Sequence, residues 1–168
     1  MAYLALVLWP LGFLERASSL IGATVVHASK TGHIPTIAFA YAYAATFEMM
    51  RRDRPRSAPY IAALLSVAQE HGISIWLAAG TFYEGWLRWS TADREASMAA
   101  MHKGMALLRS QQQGAFMPMF MTRLAETEAE AGHPDAVLAS VDMQLEVIEQ
   151  TGQRWYLSEL HRVRGEMF

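Results

Sequence analysis

The sequence predicts an all-α protein, a right-handed α-solenoid of antiparallel helix pairs that repeat about every 40 residues. Three observations lead there. Ala, Leu, Met, Glu and Gln dominate, and apolar residues recur at three and four positions, as in Val137, Leu138, Val141, Leu145 and Ile148. Gly32, Gly72, Gly114 and Gly152 each close an apolar stretch, at intervals of 40, 42 and 38 residues. Ala17, Ala58, Ala96 and Ala136 each follow a turn, at intervals of 41, 38 and 40. Two markers thus keep nearly one period.

Nine helices are expected, over 2–11, 14–31, 34–52, 55–71, 73–90, 93–113, 116–131, 135–151 and 153–166. The first is the apolar run from Met1, interrupted by Pro10 and Gly12. It has no basic residue ahead of the apolar stretch and is too short to cross a bilayer, so it reads as a buried helix rather than a signal. Within each period a short turn separates two helices: Leu11–Gly12–Phe13, Asp53–Arg54–Pro55, Thr91–Ala92–Asp93 and Gly132–His133–Pro134–Asp135. Asp53 and Asp93 are N-cap candidates, and Asp135 falls in a first turn. Pro35, Pro55 and Pro118 also fall in first turns, where a missing N–H costs nothing. The period-closing glycines suit a left-handed C-cap. Helices joined this tightly run antiparallel, and each pair buries its faces only against adjacent pairs.

The chain of 168 residues reads as one domain, 52% apolar and 18% charged. That balance predicts helices buried on more than one side. A net charge of −2 offers no field for nucleic acid or an anionic membrane. With no cysteine, disulfides and thiol chemistry are excluded, and a cytoplasmic setting is expected. Partial repeats at 1–11 and 153–168 suggest a piece of a longer array, with self-association expected through uncovered end helices.

Gly80 and Gly85 have the outer spacing of a phosphate loop, but Trp86 and Leu87 stand where Lys and Ser/Thr are needed. No two of His27, His33, His71, His102, His133 and His161 are three or four apart, so no helical His pair can grip a metal. Glu130 and His133 form one E-x-x-H, where a di-iron site needs two. His33 and His71 read as helix C-terminal partners. Glu126, Glu128 and Glu130 read as a wet acidic face. Met98, Met101 and Met105, with Phe116, Met119 and Phe120, read as core filling. Of Trp86 and Trp89, one is expected in the core and the other against a neighbouring repeat or a partner. No enzyme activity, cofactor or metal is expected.

Trp76, Gly80 and Tyr83 form a W-x3-G-x2-Y spacing that resembles the first helix of a tetratricopeptide repeat, with Ala96 as the small residue of the second helix. Standard repeats run about 34 residues, so these helices are longer by roughly a turn. Residues 75–85, 104–108, 132–136 and 152–165 look like the C-terminal repeat region of large bacterial regulators, which carry a cyclase or DNA-binding domain and a signalling ATPase upstream. The resemblance implies a regulatory module that binds a peptide or protein partner in its concave groove, or alternatively a small-molecule sensor. It also implies that first helices line the groove. From Trp76 the groove positions are Leu77, Thr81, Glu84 and Arg88. One period earlier they are Ile37, Tyr41, Ala44 and Glu48. One later, by a 42-residue shift, they are Met119, Arg123, Glu126 and Glu130, followed by His161 and Arg164.

Overall fold

The computed structural model describes residues 1–90, 93–111, 116–132, 134–152 and 154–166. Among them it is helical throughout, without strands: α1 (Ala2–Leu8), α2 (Leu14–Thr31), α3 (Ile34–Met50), α4 (Arg54–Glu70), α5 (Ser74–Arg88), α6 (Arg94–Ser110), α7 (Met117–Glu130), α8 (Pro134–Thr151) and α9 (Leu157–Glu166). Each helix packs on the next. α1 also meets α3, α3 meets α5, and α7 meets α9. The turn at Thr91 and Ala92, the period-closing Gly114, and His133 lie outside the described residues.

Local chemistry explains the ends. Asp53 accepts from the Arg56 N–H, and Asp93 from those of Glu95 and Ala96, so both cap helices as expected. Gly32, Gly72, Gly132 and Gly152 take positive φ at helix ends. Several helices are shorter than the sequence reading. α1 stops at Leu8 because Pro10 lacks an N–H and Gly12 turns left-handed at φ 89°. α3 stops at Met50, where Arg52 turns left-handed at φ 59° and the Asp53 N–H reaches back to the Glu48 carbonyl. α9 begins at Leu157, four residues later than expected, and α6 ends at Ser110. His33 sits at the start of α3, its ring on Thr36, instead of serving the end of α2.

The packing keeps a tighter period than the glycines suggest. α2, α4, α6 and α8 begin at Leu14, Arg54, Arg94 and Pro134, 40 residues apart. Three buried positions share that step: Ala17, Ser57, Ser97 and Val137; Ile21, Ile61, Met101 and Val141; Ala28, Ala68, Leu108 and Ile148. In the odd-numbered helices Ala5, Ala45, Gly85 and Ala125 keep it too.

These last residues set how closely paired helices approach. A Cβ on Gly85 would stand 2.6 Å from the Ser97 carbonyl oxygen, and one on Gly104 2.6 Å from the Phe82 nitrogen. The same pairing one period earlier brings the Ser57 hydroxyl 3.4 Å from the Ala45 carbonyl. The small residue facing α6 is therefore Gly85. Gly80 instead packs on Leu65 of α4, and Ala96 is exposed while Ser97 is buried. α3 is apolar around most of its circumference and buried from Ala42 through Met50, as befits a central helix. Trp86 and Trp89 are both buried. Trp86 joins the core, and the Trp89 Nε1–H donates to Glu130 of α7.

The interlock predicts opposite signs for two kinds of alanine substitution. Gly85→Ala or Gly104→Ala forces backbone apart and is expected to cost about 1–3 kcal/mol. Gly22→Ala, in the open middle of α2, is expected to add roughly 1 kcal/mol. Denaturant melts of the three variants read the difference.

Candidate functional site

The odd-numbered helices share one aromatic face. Tyr3 of α1 meets Phe39 and Tyr43 of α3 at ring-centroid distances of 6.0 and 4.9 Å, and those two stack at 4.1 Å. Tyr43 meets Phe116, just before α7, at 5.5 Å, and Phe116 meets Trp155, just before α9, at 5.5 Å. The rings thus run from the first helix to the last. Between the two ends lies a largely apolar cleft of about 680 Å³ lined by Tyr3, Val7, Pro10, Leu11, Phe116 and Trp155, with Glu159 at its edge. Deeper, Tyr83 shares a 2.7 Å hydrogen bond with Thr46. Burial pushes the phenols of Tyr43, Tyr83 and Tyr156 well above their ordinary range, so all three are neutral hydrogen-bonding groups.

Beside the aromatic face lies a charged cluster. Glu126 accepts from Arg52 at 2.6 Å, from Arg162 at 3.1 Å, and from Arg123. Arg162 also holds Glu159 at 2.7 Å and pairs with Glu166. Its hydrogen bond to Glu159 is the main reason its guanidinium is held above the ordinary range. Arg123 is the buried member, its side chain 4% exposed, and its Nε and Nη2 have no hydrogen-bond partner. Leaving a buried donor unpaired costs about 1–3 kcal/mol, more when it is charged. Arg54 lies over Trp86 at 5.0 Å and donates from Nε to the Trp86 carbonyl at 3.2 Å. Burial, reinforced by Arg123, pulls its guanidinium below the ordinary range against the opposing pull of Glu130. Arg52, Arg54, Trp86, Arg123, Glu126 and Glu130 border a second cleft of about 450 Å³.

The expected groove residues fall in three places. Leu77 and Thr81 are half-buried on one stripe of α5, with Glu84 paired to Arg88 at 3.6 Å. The aromatic face is built from their neighbours Trp76, Ala79 and Tyr83. One residue turns a helix by about 100°, so the expected stripe lies beside that face rather than on it. Tyr41 and Ile37 are half-buried and Ala44 is fully buried; Glu48 is buried against Arg51 at 2.7 Å. Met119 is wholly in the core. The 42-residue shift placed it two positions from the 40-residue register, about 200° around the helix. That same slip lands Arg123, Glu126 and Glu130 on the second cleft. His161 is exposed, and Arg164 reaches Asp142 at 3.5 Å.

The acidic run is not a free wet face. Glu126 is the hub of the arginine cluster, Glu128 lies 3.3 Å from His102, and Glu130 accepts from Trp89. Sequence reasoning missed the aromatic face and the arginines Arg52, Arg54 and Arg162. A signal was present. Tyr3, Tyr43 and Tyr83 recur at 40 residues, as do Trp76, Phe116 and Tyr156. Among the described residues no group of three His, Asp or Glu is placed to hold a metal, and no helix is long and apolar enough to cross a membrane.

The fold and these clefts define an all-α helical-repeat protein. Its sequence is similar to an uncharacterized protein of Rhizobium meliloti (strain 1021), 23% identical over 162 residues. The match covers 96% of this chain but 16% of that protein, so the chain spans about a sixth of the relative's length. No family profile matches the chain, and no solved structure matches it.

Two electrostatic outcomes follow. Glu126→Ala leaves the buried Arg123 without a carboxylate, while Arg52 and Arg162 keep Glu159, and is expected to cost about 3–5 kcal/mol, whereas Glu84→Ala removes an exposed pair and costs under about 1 kcal/mol. Thermal and denaturant unfolding compare them. Burial holds the Glu48 carboxyl above its ordinary range despite Arg51. The folded state therefore binds that proton more tightly than the unfolded chain. Its stability contribution grows as pH falls through the raised value and is lost as pH rises. Relative to Glu48→Gln, the native protein should gain stability between pH 7 and pH 4.5.

Proposed function

We propose that this chain is a non-catalytic, tetratricopeptide-like interaction module that binds a peptide or protein partner on its inner aromatic face. The observation that carries the reading is the apolar cleft between α1 and α9, whose walls are Tyr3, Val7, Phe116 and Trp155. Aromatic rings lose little conformational entropy on binding and supply large contact area. Tyr3, Val7 and Trp155 are each about half exposed, so these anchors are open to a partner.

Two features support the tetratricopeptide likeness. One is the 40-residue period of helix pairs. The other is a small residue in α2, α4 and α6 followed four positions later by a large one, as in Ser97 and Met101, which matches the A-x3-F element of such repeats. The reading of the chain as one part of a larger protein is supported by the relative that is much longer than this chain; the regulatory role rests on the resemblance alone, and the cytoplasmic setting on the resemblance and the lack of cysteine. The uncovered apolar residues Leu4, Val7 and Leu11 support self-association through the first end.

A displayed peptide library selected on the whole chain tests the reading. Enriched peptides should carry aromatic or aliphatic anchors. Val7→Asp or Trp155→Asp, both at exposed positions, should weaken them at least about tenfold by fluorescence anisotropy while circular dichroism stays unchanged. Peptides that bind both variants as tightly as the native chain would refute the inner-face site.

A further inference from the structure

We propose that the second cleft is a binding site for a small molecule bearing a carboxylate, seated on Arg123 and Arg54. The site is separate from the apolar cleft and does not depend on peptide binding there. Arg123 uses Nη1 on Glu126, while Nε and Nη2 are buried without a partner. Those two groups lie side by side on one edge of the guanidinium, the fork that matches the two oxygens of a carboxylate. Arg54 enters the same cleft with its guanidinium fixed over Trp86. Among the described residues no carboxylate lies within ion-pair distance of it.

The charge balance selects the ligand class. Arg52, Arg54 and Arg123 line the cleft together with Glu126, Glu130 and Glu166. The lining is neutral overall, so a doubly charged phosphate meets three carboxylates, whereas a planar single charge meets the unused fork. The free edge of Arg123 is sealed from water, so seating the ligand requires its guanidinium to turn toward the cleft. Glu126 stays held by Arg52 and Arg162 when it does.

The test uses the full chain with N-acetylglycine and its uncharged twin N-acetylglycinamide at constant ionic strength. Arginine Nε–H resonances are followed in ¹⁵N spectra. Saturable shifts of Arg123 and Arg54 with the acid, and none with the amide, are expected at millimolar concentrations. Arg123→Lys keeps the charge, removes the fork and should weaken binding about tenfold. Arg54→Gln should weaken it about fivefold with folding intact, and this variant decides the matter should Arg123→Lys unfold. Equal shifts with acid and amide, no saturation by about 50 mM, unchanged affinity in Arg54→Gln, or tighter binding of inorganic phosphate at the same arginines would each overturn the assignment.

Discussion

The whole stack depends on how closely the two helices of a pair approach. Ala5, Ala45, Gly85 and Ala125 leave room for the partner backbone, and the Gly85–Ser97 and Phe82–Gly104 contacts leave none to spare. Close approach brings the buried stripes of the second helices into register, one period after another. Each pair then offers its first helix to the same side, which creates a continuous face from α1 to α9. A repeat protein has no single central core, so this local spacing carries the architecture.

The face so created is chemically divided. Along one strip of it, from α1 to α9, the rings of Tyr3, Phe39, Tyr43, Phe116 and Trp155 touch in sequence. Alongside them, Arg52 in the α3–α4 turn, Arg123 of α7 and Arg162 of α9 meet their glutamates, and Arg54 of α4 stands beside them. An ion cluster of this kind costs desolvation and is stable only when its members satisfy one another. Glu126 is satisfied three times over, while Arg123 is satisfied once. That inequality singles out the second cleft chemically. The aromatic cleft, by contrast, offers area and shape with few polar groups.

Much of the fold was legible in residue order. Asp53 and Asp93 cap helices because a short carboxylate after a turn has free N–H groups to accept from. Gly32 and Gly72 close helices because only glycine turns left-handed without strain. The groove was less legible. Gly114 broke the 40-residue count by two, and two residues on a helix reverse its face. That count puts Met119 on the groove, whereas its helical spacing with Phe116 and Phe120 puts it in the core, where it lies. Gly80 holds the glycine position of a known spacing, yet Gly85 is the one against α6.

By itself the sequence determined what repeats: helical periodicity, turns, caps and the paired-helix unit are all set by neighbours within a few positions. Tertiary structure alone decided which face of each helix looks inward. It also decided that Arg52, Arg123 and Arg162, scattered over more than a hundred positions, meet on Glu126. The physical reason is range. A cap or a turn is a contact between near neighbours, whereas an inner face exists only after rotations of about 100° per residue have accumulated along several stacked helices.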